Sequence, residues 1–244
     1  MEKIILKNPI LAHRGITFTG HLENSYNSLF DIKKYASNLN KLVNKLGIEF
    51  DIQYTKSGNI VCYHDHNLKR LHNDDINVSD LTPDIISKYG ICNFIDIIKE
   101  FANSPYMLDI EMKSYDSEIN IPEFCKQVEK LIMDYNFVNN SVVSSFDINI
   151  VTHMLKTYPH INTVFLIYGE TSDDIINKLI DIGLKGIAMD KYQYEKTDYY
   201  ISKGLNIMIY TLFNTDDSND YTIVKYLSKY DNVVLITDRI DKLL

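Results

Sequence analysis

The chain has 244 residues, of which 45% are hydrophobic and 24% charged, and its formal net charge is −8. This is ordinary globular composition at the size of one α/β barrel, so we expect a single domain over residues 1–244. The acidic balance argues against a general nucleic-acid binder, which needs a basic face. A small anionic substrate is still possible, because it needs only a local cluster of cations.

The cysteines and the apolar runs indicate a cytoplasmic protein. Cys62, Cys92 and Cys125 are an odd set without a CxxC pair, which predicts reduced thiols instead of disulfides or structural zinc. No apolar run approaches the roughly 20 residues of a membrane span. The first nine residues are too short and too interrupted for a signal peptide.

Short runs rich in Ile, Val and Phe alternate with longer helical stretches. The predicted strands are Ile10–His13, Gly47–Ile52, Tyr106–Met112, Ser141–Phe146, Asn162–Ile167, Lys185–Met189, Asn206–Thr211 and Val233–Thr237. The predicted helices include Asn24–Leu46, Phe94–Asn103, Pro122–Tyr135, Ile148–Thr157, Ser172–Ile182 and Asp220–Ser228. Sustained alternation favours a closed parallel TIM (β/α)8 barrel, with an open doubly wound sheet as the alternative.

One segment interrupts the alternation after the second strand. A tight turn is predicted at Lys56–Asn59, followed by a return strand over Ile60–His64. Such a β-hairpin excursion brings His64 back to the rim that carries Glu49 and Asp51.

The second predicted strand places Glu49 and Asp51 on one face by its period-two alternation, toward the barrel mouth. The third strand repeats the pattern with Asp109, Glu111 and Lys113. Adjacent inward carboxylates repel unless a cation lies between them. Glu49, Asp51 and Glu111 form an all-oxygen set that suits Mg2+ or Ca2+ better than zinc. A carboxylate cluster paired with Lys113 for purely structural reasons is the alternative.

Two histidines stand at predicted strand ends. His13 ends the first strand, and the adjacent Arg14 offers a guanidinium fork for phosphate oxygens. His64 ends the return strand, where Asp65 could hold its tautomer. Structural roles for each of these side chains remain open at this point.

Several motifs, each weak by itself, occur together and in a fixed order. They are His13-Arg14-Gly15, Glu23-Asn24-Ser25, Glu49-Phe50-Asp51, Thr55-Lys56-Ser57-Gly58, Val61-Cys62-Tyr63-His64-Asp65, Leu68-Lys69-Arg70, Ile110-Glu111-Met112-Lys113, Ser144-Ser145-Phe146 and Ile236-Thr237-Asp238-Arg239. Together they resemble the glycerophosphodiester phosphodiesterase family over essentially the whole chain, most specifically in its first third.

The resemblance implies a TIM barrel, one divalent cation (Mg2+ or Ca2+), and hydrolysis of a glycerophosphodiester to sn-glycerol 3-phosphate and an alcohol. It also implies roles for single residues: Glu49, Asp51 and Glu111 as metal ligands, His13 and His64 as catalytic acid and base, and Arg14 and Lys113 as phosphate-binding cations. Which histidine is the acid is left open, as are the leaving alcohol and the oligomeric state.

Two departures from the family pattern concern substrate recognition. The late Trp-Thr-x-Asn motif becomes Tyr210-Thr211-Leu212-Phe213-Asn214, and Tyr210 is predicted to bind substrate in place of the tryptophan. The region Leu71–Ser104 lacks the glycerol-binding insertion of some members, which predicts looser specificity.

Two alternatives remain. A lysophospholipase D- or sphingomyelinase D-like relative would share the site and add peripheral lipid contact through an apolar rim. A catalytically idle barrel would serve as a binding module. A metal-free phospholipase C-like enzyme fits poorly, because all three carboxylates are present.

Overall fold

In the computed structural model, which describes residues 6–39, 46–215 and 218–243, a single sheet dominates the chain. Its strands are β1 Ile10–His13, β2 Leu46–Tyr54, β3 Ile60–Cys62, β4 Met107–Lys113, β5 Ser141–Ser145, β6 Thr163–Ile167, β7 Gly186–Asp190, β8 Asn206–Leu212 and β9 Val234–Thr237. The strand order is β1-β9-β8-β7-β6-β5-β4-β2-β3, and β1 also pairs with β2. All pairings are parallel except that of β3 with β2.

The β1–β2 pairing closes eight parallel strands into a barrel and leaves β3 as an added edge strand. The predicted TIM barrel is therefore confirmed, and the open doubly wound sheet is excluded. The predicted hairpin is also present: its turn contains Gly58 at a φ of 84°, a value that favours glycine. Its return strand ends at Cys62, so His64 lies two residues past the strand.

Helices cover the outside of the barrel. Their bounds are α1 Tyr26–Phe30, α2 Ile32–Leu39, α3 Lys69–His72, α4 Pro83–Tyr89, α5 Phe94–Phe101, α6 Ile121–Asp134, α7 Ile148–Thr157, α8 Asp173–Asp181, α9 Thr197–Ser202 and α10 Asn219–Leu227. Short 3-10 helices cover Val78–Asp80, Lys191–Lys196 and Ile240–Leu243. Among the described residues, no helix combines the length and apolar character needed to cross a bilayer.

The predicted helix Asn24–Leu46 is wrong in its extent. Ser25 starts α1 as a capping box with Ser28, and α1 ends at the cap residue Asp31. The buried Asp31 carboxylate pairs with His21 and Lys34 instead of lying on an exposed helix face. Residues 40–45, the end of the predicted helix, lie outside the described residues, and β2 begins at Leu46.

Two of the three apolar clusters of the described residues lie in and around the barrel, and the third packs around the return strand and the segment after it. The larger of the two barrel clusters fills the space between the strands and the helices and includes Phe50, Phe94 and Phe124. The smaller of the two fills the lower interior of the barrel with side chains such as Leu11, Met208 and Ile236. Because apolar side chains fill the lower interior, the inward-pointing polar residues collect at the carboxyl ends of the strands, where TIM barrels carry their sites.

Candidate active site

Strand register assembles the polar residues of this end. His13 of β1 pairs with Glu49 of β2, and Glu49 pairs with Asp109 of β4. Asp51 and Glu111 form the next matched pair toward the carboxyl end of the same two strands. The alternation predicted for the second and third strands therefore brings all four carboxylates to one side of the sheet.

Three of these carboxylates can hold a metal ion. One oxygen from each of Glu49, Asp51 and Glu111 lies within 4.8 Å of the others, and all three residues are buried. Among the described residues, Glu49 Oε1 has no hydrogen-bond partner although it is fully buried. An all-oxygen cluster with an unsatisfied buried oxygen fits a hard divalent cation such as Mg2+ or Ca2+.

The three carboxylates differ in the direction in which their pKa values are shifted. Burial, with the charges of Asp51 and Glu111, raises the pKa of Glu49 well above its usual value. Burial and the Asp51 charge likewise raise the pKa of Glu111 to about 7. Burial opposes ionisation of Asp51 too, but Lys113 and Arg14 outweigh it and hold its pKa below the usual range. Without a cation the site therefore retains protons that a bound cation would displace.

Arg14 and Lys113 border the same cluster. Lys113 Nζ lies 3.1 Å from Asp51 Oδ1 and also donates to Glu111. Arg14 Nε lies 3.3 Å from Asp51 Oδ2, and the Arg14 backbone N–H donates to Glu49 Oε2 at 3.0 Å. Both cations are largely buried, with 19% and 8% of the side chain exposed. They are thus held beside the carboxylates and face the cleft.

The backbone around Arg14 explains the neighbouring motif residues. Gly15 has a φ of 84°, and a Cβ there would lie 2.5 Å from Ser28 backbone atoms. Only glycine fits this approach of the β1 loop to α1. Asn24 exchanges two hydrogen bonds with Asp51, donating from Nδ2 to Oδ2 at 2.8 Å and accepting from the backbone N–H at 3.1 Å. Asn24 is therefore an outer partner that orients a candidate metal ligand.

Each candidate catalytic histidine has a carboxylate at Nδ1. His13 Nδ1 lies 2.6 Å from Asp238 Oδ1, and His64 Nδ1 lies 2.7 Å from Asp65 Oδ1. A carboxylate at Nδ1 fixes the tautomer that keeps the proton there and leaves the Nε2 lone pair available. Burial lowers the pKa of His64, which favours its neutral ring.

Hydrogen bonds and ion pairs hold the loop that carries His64 against the barrel. Gln53 Nε2 donates to the carbonyl oxygens of Tyr63 and Asp65 at 2.7 and 2.8 Å. Arg70 joins Asp65 to Glu23, with its guanidinium paired to both carboxylates. The return hairpin thus delivers His64 to the rim as predicted, although the contacts that fix it come from residues outside the predicted site.

Two neighbouring cavities, together called the cleft here, share lining residues from this site. One, of about 290 Å3, is lined by Glu49, Glu111, Lys113 and His64 among others. The other, of about 640 Å3, extends toward Phe18 and Arg239. The residues common to both are His13, Arg14, Asn214 and Asp238. His13 and His64 therefore both line the smaller cavity, and His13 also lines the larger one.

Tyr210 lies in the wall of the smaller cavity, as expected of a substrate-binding residue. Its hydroxyl donates to the Ile167 carbonyl at 2.7 Å, and its ring meets the Phe146 ring edge-on at 6.0 Å. Burial raises its pKa. Tyr210 therefore presents its ring, and not a free hydroxyl, to the cleft.

Several residues that contact the candidate site were not singled out from the sequence. Three of them, Asp238, Asn24 and Glu23, belong to the motifs that resemble the family, but no individual role was predicted for them. Asp109 was placed on the inward face of its strand from the sequence but given no role; it accepts from Ser144 Oγ at 2.7 Å, and burial raises its pKa to about 7. Nothing in the sequence pointed to Gln53, because its side chain donates to backbone carbonyls that come near it only when the hairpin folds.

Fold and site together define a class: TIM-barrel proteins with a potential divalent-metal site and two histidines at the carboxyl end of the strands. Within that class the chain belongs to the glycerophosphoryl diester phosphodiesterase family, whose sequence model matches residues 45–242.

The relatives agree with this assignment. A glycerophosphodiester phosphodiesterase of Caldanaerobacter subterraneus is 28% identical over 128 residues, which are 47% of this chain and 52% of the relative. The match therefore spans about half the length of that relative. The crystal structure of a Thermotoga maritima glycerophosphodiester phosphodiesterase has a TM-score of 0.72 at 22% identity, covering 96% of this chain and 95% of that one.

An Oleispira antarctica phosphodiesterase, solved in complex with the product sn-glycerol-3-phosphate, has a TM-score of 0.73 at 16% identity. The superposition covers 98% of this chain and 95% of that one. At these identities the two structures show a shared barrel fold.

Proposed function

We propose that this protein hydrolyses glycerophosphodiesters, such as glycerophosphocholine and glycerophosphoethanolamine, to sn-glycerol 3-phosphate and an alcohol. One observation carries the proposal: Glu49 and Glu111, two members of the buried three-carboxylate cluster, line a single cavity with two histidines and two cations. Family membership supports the reaction class, and the sn-glycerol-3-phosphate complex of the Oleispira protein supports the product.

Glu49, Asp51 and Glu111 would hold one Mg2+ or Ca2+ ion. When bound, the cation supplies charge neutralisation for the phosphodiester and can polarise a coordinated oxygen. Arg14 and Lys113 would bind the phosphoryl oxygens, Arg14 through its guanidinium fork and Lys113 as a point charge. Both cations already lie beside Asp51, so the phosphoryl group would be bound next to the carboxylates.

His13 and His64 would transfer the protons. For hydrolysis, one would accept a proton from the attacking water as its oxygen bonds to phosphorus, and the other would donate a proton to the alcohol oxygen as its bond to phosphorus breaks. Asp238 and Asp65 hold the rings through Nδ1, so that Nε2 exchanges the proton. Burial lowers the pKa of His64 and so favours its neutral ring, the form that accepts a proton.

The experiment is release of glycerol 3-phosphate from both substrates with Mg2+, Ca2+ or EDTA. We expect turnover that requires a cation and falls by about 10²–10⁴-fold in His13→Ala and in His64→Ala. His160→Ala is the matched control, because His160 is 43% exposed and pairs with Glu129. Metal-bound protein without turnover on either diester would contradict the proposal and favour the idle barrel.

Lysophospholipids are a second candidate substrate class, favoured by one observation on the rim. Four aromatic side chains within two residues of strand ends are exposed: Tyr115 (47%), Phe146 (45%), Tyr168 (77%) and Tyr192 (67%). All follow the carboxyl ends of strands and therefore surround the same mouth. Amphipathic rings in such a position suit a lipid–water interface.

Choline release from lysophosphatidylcholine tests this second class. Tyr168→Ser should reduce turnover of lysophosphatidylcholine vesicles or micelles and leave glycerophosphocholine turnover unchanged. Tyr199→Ser serves as the control, since Tyr199 is exposed on α9 and donates to Asp173. Equal effects of Tyr168→Ser on both substrates would remove the lipid candidate.

A further inference from the structure

A buried ion pair lies beside the cleft and outside the carboxylate cluster. Lys191 follows β7, and Asp220 lies in the first turn of α10. Lys191 Nζ is 2.9 Å from Asp220 Oδ1, and the two side chains are only 1% and 0% exposed. Desolvation offsets much of the attraction in such a pair, so net stability is a weak reason for it.

The pair fixes the loop that follows β8. Lys191 Nζ donates to Asn214 Oδ1 at 2.9 Å, and Asp220 Oδ2 accepts from the Phe213 backbone N–H at 2.5 Å. Phe213 has a φ of 56°, an uncommon conformation for a bulky side chain that its surroundings must enforce. The register of β8 on β9 also shifts just before this loop, between Ile209 and Leu212.

The ammonium determines which way the Asn214 amide faces. Lys191 Nζ carries donors and no acceptor, so the amide atom that faces it must be the oxygen. The Nδ2 group, with two N–H donors, then lies on the other side of the amide. Asn214 is exposed and lines both cavities of the cleft.

The residues shared by the two cavities indicate where the phosphoryl group of a bound diester would lie. A phosphodiester carries one alcohol moiety on each side of its phosphoryl group. If each cavity holds one moiety, the residues common to both cavities surround the phosphoryl oxygens. Those residues are His13, Arg14, Asn214 and Asp238, and Asn214 is the neutral amide donor of the set.

We propose that Asn214 Nδ2 donates a hydrogen bond to a phosphoryl oxygen of the substrate, and that Lys191 and Asp220 are positioning residues for this donor. The inference rests on the proposed diester hydrolysis and adds a specific substrate contact to it. It also assigns a use to the buried pair, which contacts none of the candidate metal ligands among the described residues.

Asn214→Ala tests the contact directly. We expect kcat/KM for glycerophosphocholine to fall on the order of 10- to 100-fold, as for loss of one hydrogen bond to a charged acceptor. Mg2+ affinity and thermal stability should stay near those of the wild type, because the side chain is exposed and is not one of the candidate metal ligands.

The positioning role is tested by Lys191→Met combined with Asp220→Asn. This pair removes both buried charges and keeps an acceptor for the Phe213 N–H. We expect a loss in kcat/KM similar to that of Asn214→Ala. Adding Asn214→Ala to the pair should cause no further loss, because residues that act through one contact are not additive.

Asn8→Ala is the matched control for a purely structural effect. Asn8 is buried before β1, at the opposite end of the barrel, and donates to the backbone carbonyls of Tyr230 and Val233 at 2.6 and 2.9 Å. The variant should lower the melting temperature and leave kcat/KM of the folded protein unchanged.

The outcomes separate this inference from the proposed function. Wild-type turnover with Asn214→Ala within twofold of it would overturn the contact and leave the function standing. Multiplicative losses in the triple variant would overturn the positioning role. If the wild type turns over no diester, calorimetry measures binding of sn-glycerol 3-phosphate in the presence of Mg2+. Weaker binding by Asn214→Ala than by the wild type supports the contact. Equal binding by the two proteins, or no binding by the wild type, overturns it.

Discussion

His13 Nδ1 lies 2.6 Å from Asp238 Oδ1, which joins the end of β1 to the residue after β9 across 225 positions of the chain. This contact crosses the seam where the first and last strands of the barrel pair. His13 therefore takes its orientation from the closure of the barrel, and not from its own loop.

Asp238→Asn should disable the candidate catalytic histidine while keeping its volume. An Asn at this position can donate to Nδ1, which favours the wrong tautomer and protonates Nε2. We expect kcat to fall roughly 10²–10⁴-fold, as for loss of a positioned acid or base. Steady-state kinetics with Mg2+ measure this, and Asp241→Asn, which weakens an ion pair with Arg239 and does not contact His13, is the control. An active Asp238→Asn enzyme would mean that His13 needs no partner.

Glu111→Gln, compared with Asp109→Asn, tests whether Glu111 binds the metal ion and Asp109 does not. The amide removes a charge from the cluster, so we expect Mg2+ affinity to fall by more than about tenfold, since loss of an outer partner alone costs that much. Asp109→Asn is the matched control, because Asp109 lies on the same face of β4 but outside the set of three. Isothermal titration calorimetry compares the two. Equal losses would place Asp109 among the ligands.

The raised pKa of Asp109 predicts how stability depends on pH in EDTA. Its pKa rises from an ordinary value of 3.8 to about 7 on folding, because the side chain is buried. Between these values the folded state binds more protons than the unfolded state, so this group's contribution is present at low pH and is lost as pH rises toward and through 7. The difference in free energy of unfolding between wild type and Asp109→Asn should therefore shift against the wild type from pH 5 to pH 8. Urea unfolding at four pH values measures it, and a constant difference would contradict the shift.

Gly15→Ala should damage both stability and site. A Cβ would lie 2.5 Å from Ser28 backbone atoms, and φ is 84°. We expect a cost of about 2–4 kcal/mol from the clash and the strain together. Gly20→Ala has a similar φ of 92° with nothing within 4 Å, so it should cost only about 1–2 kcal/mol. Thermal unfolding compares the two, and activity should fall only in Gly15→Ala because Arg14 is adjacent. Equal losses of stability in the two variants would show that the positive φ causes the loss and that the close contact with Ser28 adds nothing to it.

Much of this protein could be read from local pattern. Period-two alternation in β2 and β4 placed Glu49, Asp51 and Glu111 on one face, because successive side chains of a strand point to opposite sides whatever surrounds it. The strand–helix alternation predicted the barrel because parallel neighbouring strands need crossover connections, usually helices. Helix extent was less predictable: α1 ends at Asp31, whose carboxylate is buried and paired with His21, within a stretch whose composition favours one long helix.

The sequence by itself determined the strand–helix alternation, the carboxylate face and the hairpin that returns His64, which follow from the chain's local geometry, whereas closure of the sheet into a barrel is seen only in the β1–β2 pairing. Only the tertiary structure decided which groups complete the site. Asp238 reaches His13 because the barrel closes, and Lys191 reaches Asn214 because the segments that follow the neighbouring strands β7 and β8 meet at the rim. The separation of the carboxyl pKa values is likewise a tertiary effect, since burial and neighbouring charges exist only after folding.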